Sequence, residues 1–222
     1  MNIKRSSVLK IFVLVCIFIL SQVNGYAVIK SNWSPVAFNE TMFARTFSLS
    51  INYYVVEGAG YFLKAHSEIL YFLHKIELCE LYGPDYGELQ VLIGSAISNM
   101  EEAKSVYVEL TNLADNTPYD PDVIHQLAVF NYSKFYLDNN LNFSIFWSVM
   151  KYLRQGDVRG IYRKMLHETE DILDVLYQIE AKLAACQIPQ FPLIWDLNHK
   201  CFLALIFDQY TSMVFYDIVQ NT

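Results

Sequence analysis

Five histidines, at positions 66, 74, 125, 167 and 199, are the side chains in this sequence best suited to hold a metal. Two of them follow an aspartate at a spacing of three, Asp122-Val-Ile-His125 and Asp196-Leu-Asn-His199. On a helix that spacing places carboxylate and imidazole on one face, and metal sites in helical bundles use such pairs, typically as Glu-x-x-His. His66 and His74 lie eight apart on one predicted helix, with Glu77 three residues beyond His74. Asp122, His125, Asp196, His199, His66 and His74 are therefore the candidate ligands of a metal- or haem-binding bundle. Two observations weigh against that reading. Acids are favoured at helix N-termini by the helix dipole in any case, and Asp122 and Asp196 fall at such positions. No inward-facing glutamates on two further helices complete a dinuclear set. No cofactor is expected.

Nucleophilic catalysis has no support. The sequence lacks G-x-S-x-G and places no cysteine in a catalytic context. Phosphate-binding loops and a C-x-x-C-H haem attachment are absent as well. The chain is not expected to be an enzyme. The aromatic load is high, with 16 Tyr, 15 Phe and 3 Trp. It fits a thick aromatic core with hydroxyls reaching water. It also fits a partner surface or an apolar-ligand pocket, where Tyr and Trp are enriched.

The first 25 residues are built differently from the rest. Lys4, Arg5 and Lys10 precede the apolar run Ile11 to Leu20, and a small, polar tail ends in Val23-Asn24-Gly25. That is the order of a secretory signal peptide cut after Gly25. The run is half the ~20 apolar residues that a membrane span needs. An exported chain is expected, periplasmic or extracellular. The formal net charge of the whole sequence is -7, from 16 Lys and Arg against 23 Asp and Glu. Removing three cations and no acids leaves 13 against 23, or -10. So acidic a chain is not a nucleic-acid binder, because phosphates need a basic surface. Export also places Cys79, Cys186 and Cys201 in an oxidising space. A Cys186–Cys201 disulfide across two successive helices is expected, with Cys79 reduced. Four N-x-S/T sequons, at Asn32, Asn39, Asn131 and Asn142, matter only for a eukaryotic source.

These residues have to be positioned by helices. At 222 residues and 54% apolar, the chain is long enough for one well-buried core. Residues 26–40 contain Pro35 and no helical period, and read as an extended lead-in. Thr41 to Leu81 is helical in pattern, and Gly58-Ala59-Gly60 within it suggests a kink, a close crossing or two helices. In residues 85–114, Leu89, Leu92, Ile93, Ala96, Ile97, Met100, Ala103, Tyr107 and Leu110 recur at three and four. Asp120-Pro121 starts a helix to about Leu137, and Phe143 to Arg154 is helical again. Asp157 caps residues 158–186, whose seam is Ile161, Met165, Thr169, Ile172, Leu176, Ile179 and Leu183. Pro189 and Pro192 lie in a linker, and a last helix runs from about Asp196 to Val219. Asp208 and Asp217 argue against membrane depth for that helix.

The expectation is an all-α, antiparallel bundle of four to five long helices, a single domain over residues 41–222 after a cleaved signal peptide. Its expected function is non-enzymatic binding, of a protein partner at the cell envelope. A carrier or sensor of an apolar small molecule in a bundle cavity, and a metal- or haem-binding bundle, are the alternatives.

Overall fold

The computed structural model describes residues 38–117, 149, 151–152 and 157–221. These residues are all-helical, with four long helices: α1 (Phe38–Tyr82), α2 (Tyr86–Asn116), α3 (Val158–Ala184) and α4 (Phe191–Asn221). Val149, Lys151 and Tyr152 are also helical. The remainder of the expected helices at 120–137 and 143–154, and the segment 1–25, lie outside the described residues.

Three residues join α1 to α2, so the two are antiparallel neighbours. Cross-helix pairs confirm the sense. Lys75 meets Glu88 at 2.6 Å and Ser95 meets Glu68 at 3.4 Å, so positions fall along α1 as they rise along α2. Between α2 and α3 the pairs are Asp115 with Arg159 and Arg163, then Lys104 with Glu170, then Glu101 with Tyr177. Between α1 and α4 they are His66 with Asn198 and Asn52 with Ser212. α1 thus packs on α2 and α4, α2 packs on α3, and α3 makes a lesser contact with α4. Such ion pairs, half in water, add little stability. Their use here is that they record the register.

The stabilising core is the one the periodicity marks. Every residue of the α2 stripe from Leu89 to Leu110 and every residue of the α3 seam from Ile161 to Leu183 is buried. Thr169 fits the apolar seam because its hydroxyl donates to Met165 O at 2.7 Å. Caps fix the helix starts: Asp85 accepts from Glu88 N at 3.1 Å, and Asp157 from Gly160 N at 2.8 Å.

Three expectations are corrected. α1 starts at Phe38, three residues before Thr41, since nothing between Pro35 and Thr41 opposes a helix. Of the three readings of Gly58-Ala59-Gly60, the close crossing holds, and α1 runs through these residues unbroken. At Gly58 the reason is a close crossing. A β-carbon there would stand 2.5 Å from Tyr107 Cζ and 2.8 Å from its hydroxyl oxygen. α4 starts at Phe191, five residues before Asp196, because Pro192 sits in the first turn, where a helix needs no N–H from it. Leu193 N and Ile194 N bond Gln190 O at 3.0 and 3.4 Å. That early start carries the third correction. Cys201 is nearly three turns into α4, and Cys186 and Cys201 are both free thiols, the first exposed and the second buried.

Cys186 has a different task. It closes α3 at φ 53°, while Cys186 N bonds Leu183 O at 3.0 Å and Gln187 N bonds Lys182 O at 2.9 Å. This is a Schellman closure with a non-glycine residue in the left-handed position. Cys186→Gly is expected to raise stability by about 0.5–1 kcal/mol in urea denaturation, the left-handed strain relieved less the entropy of glycine. A disulfide at Cys186 would instead make the change cost about 2–5 kcal/mol.

Candidate functional site

A 45-residue helix in a bundle needs one apolar face, and α1 has two. Its inner face carries Ile51, Val55, Phe62, Ala65, Ile69, Phe72 and Ile76, all buried. On the opposite side Leu49, Tyr53, Val56, Leu63 and Tyr71 are 57, 63, 54, 42 and 47% exposed. At 100° per residue these five lie within about 60° of Gly60, in a strip rising about 33 Å. Gly60 itself has open space where its β-carbon would be. A glycine in a helix interior costs about 1 kcal/mol relative to alanine. Gly58 has an internal reason for that cost and Gly60 has none among the described residues. Glu57 and Lys64 edge the strip on one side, with Lys64 Nζ 4.8 Å from the Tyr61 ring.

The inner face meets a buried polar cluster. Tyr107 of α2 is fully enclosed and its hydroxyl donates to Asp208 Oδ2 of α4, an acid only 1% exposed. Burial holds the Asp208 carboxyl well above the usual carboxylate range, Tyr107 draws it back in part, and Glu168 pushes it further up. Burial and Asp208 together hold the Tyr107 hydroxyl well above its ordinary value. Burial likewise pushes the Cys201 thiol up, so this cysteine is protonated. Glu168 pairs with Lys164, whose Nζ sits 4.9 Å over the Phe207 ring. The cluster can hold a proton within the core. It cannot present one to a substrate, because Tyr107, Asp208 and Cys201 are each 1% exposed or less.

The sequence-predicted ligands are not brought together. His66 is buried, and its Nε2 lies 2.7 Å from Asn198 Oδ1, which makes Nε2 the protonated nitrogen. Burial lowers its pKa, more than the Asn198 bond raises it. The Phe202 ring lies 6.0 Å from it. His74 is exposed, 4.0 Å from Glu77. Asp196 and His199 are exposed on α4, and Asp196 pairs with Lys200 at 2.6 Å. Asp122 and His125 lie outside the described residues. Among the described residues no three His, Cys, Asp or Glu side chains are grouped to hold a metal, and no helix is long and apolar enough to cross a membrane. Cys79 is a free thiol, half-buried, and donates to Lys75 O at 3.2 Å. The residues that the sequence reading missed are Asp208, Gly60 and the strip on α1. A period of three and four on the polar side of α1 was the available signal for the strip.

No known protein family, no curated protein and no solved structure matches this chain.

Two outcomes follow for the core. Alanine brings the same helix-propensity gain at positions 58 and 60, and only position 58 meets a fixed ring. Gly60→Ala is therefore expected to stabilise the fold by about 1 kcal/mol. Gly58→Ala is expected to cost about 1–3 kcal/mol by overpacking, both read by chemical denaturation.

The pH dependence is the second. A buried acid with a raised folded pKa binds its proton more tightly in the native state, so its contribution falls as pH rises from about 4 through the folded pKa. A histidine with a lowered folded pKa acts oppositely, and its contribution is lost as pH falls from about 6.5 through the folded pKa. Asp208→Asn keeps the acceptor for Tyr107 and removes the titration. Its stability relative to the unsubstituted chain should be greater at about pH 8 than at about pH 5, changing by at most about 1.4 kcal/mol per pH unit. A difference independent of pH would show that Asp208 does not titrate as placed.

Proposed function

We propose that the chain is an exported, non-enzymatic helical-bundle protein that acts by binding a protein partner at the cell envelope, and that the outer strip of α1 is where it binds. The strip carries this reading. Scattered exposed apolar residues are ordinary, whereas five large ones recurring at helical spacing on one face, broken by Gly60 and the exposed Ser67, mark a contact surface. Two of its members are tyrosines, which supply area at low entropic cost and are enriched where proteins meet. Three further observations favour binding over catalysis. The Tyr107–Asp208–Cys201 cluster is enclosed, the exposed histidines His74 and His167 each meet one carboxylate and belong to no group of three ligating side chains among the described residues, and the exposed thiol closes a helix. Export rests on the charge and apolar order of residues 1–25.

Photo-crosslinking in the source cells tests the reading. A photoreactive residue at Tyr53 or Val56 is expected to give a discrete protein adduct, and one at the exposed Asp171 of α3 none. Equal, diffuse labelling from all three positions overturns it. Stoichiometric lipid or a visible absorption band in the purified protein, with no adduct from α1, would favour the apolar-ligand or the metal class instead.

A further inference from the structure

We infer that the occupant of the α1 strip is a second copy of the chain, its α1 crossing this one antiparallel about Gly60. The inference rests on the reading of that strip as the binding surface and names its partner. The argument starts from Gly60. A glycine with open space at its β-carbon, midway along a strip that is apolar except for Ser67, lets another backbone come close there and serves no contact within the described residues. Two-fold symmetry then puts Gly60 against Gly60, the point where a self-complementary contact needs its smallest residue.

Charge fixes the sense of the crossing. Glu57 and Lys64 lie on the same edge of the strip, three residues before and four residues after Gly60. In an antiparallel pair, like edges face each other and positions run in opposite directions. Glu57 of each copy therefore meets Lys64 of the other, twice per dimer. The same inversion sets Leu49 against Tyr71, so the ends of the row are apolar against apolar. A parallel pair would put this edge against the opposite one, where Asn52, Leu63 and Leu70 stand, and would leave both charges without a counterpart. No ion pair joins Glu57 or Lys64 to another described residue, so both are available. The two charges cancel within the strip, although the whole chain is at -7. Self-association on this face thus escapes the repulsion that an acidic chain otherwise brings to it.

Sedimentation equilibrium on the purified chain, with its charge variants, is the test. The unsubstituted chain is expected at the mass of two chains at micromolar concentration. Glu57→Lys or Lys64→Glu alone should weaken the dimer about tenfold, since each sets like charges together at two places. The double change Glu57→Lys with Lys64→Glu should restore it. Gly60→Leu should give a monomer that keeps its helical content, because the position is open in the single chain and leucine favours a helix more than glycine does. A monomer for the unsubstituted chain overturns the inference, as does a dimer that ignores both single changes or is not rescued by the double one. Failure here is distinguishable from failure of the broader reading. A monomer that still crosslinks to a different polypeptide from Tyr53 loses only the second copy, whereas absence of any adduct from α1 removes the surface itself.

Discussion

A carboxyl group sits in the middle of this bundle, and the arrangement of three helices follows from how it is accommodated. Asp208 cannot be solvated where α4 puts it, so it keeps its proton affinity high and takes the hydroxyl of Tyr107. The ring reaches that point only because α1 has no side chain at Gly58. Moving any one of the three helices along its axis by a residue would break the hydrogen bond or close the space for the ring. An apolar core fixes composition better than it fixes register, and a single satisfied polar contact at its centre supplies what it lacks.

His66 with Asn198 and Asn52 with Ser212 repeat the device along the α1–α4 seam, with smaller groups. Polar pairs are thus spaced along the inside of α1 among large apolar residues. The outside of the same helix has the opposite character. There Glu57 and Lys64 sit at one edge, and the row beside them is apolar except for Ser67. One helix therefore carries two apolar faces, one closed within the chain and tuned by buried hydrogen bonds, and one exposed.

Legibility followed the range of the determining contacts. The α2 stripe and the α3 seam could be read because each is set by period within one helix, and both are buried throughout. The caps at Asp85 and Asp157 are equally local. What failed was decided at a distance or by a residue with two meanings. Gly58 left a kink, a close crossing and a break all open, and Tyr107, 49 positions later, selects the crossing. Asp208 served only as an argument against a membrane span, since its partner is 101 positions away. Pro192 marks a linker or a first helical turn equally well, and choosing the linker misplaced Cys201 and with it the expected disulfide. The paired Asp-x-x-His spacing at Asp196 and His199 was real on the helix but faced water rather than a second helix.

The adjacency of α1 and α4 sets an order on how the protein comes into being. The contacts that close the bundle span 132 positions between His66 and Asn198 and 160 between Asn52 and Ser212. The α1–α2 hairpin can form as soon as it is made, but the inner face of α1 then waits for α4, which begins 75 residues after α2 ends. At about 5–20 residues per second that wait is on the order of ten seconds. Throughout it the part of the inner face of α1 that α4 covers is as bare as the outer strip, and the hairpin presents apolar surface on two sides of one helix. A chaperone that covers such surfaces, or an export route that threads the chain unfolded, would suit a polypeptide in which α1 is completed by a helix more than 100 residues further on.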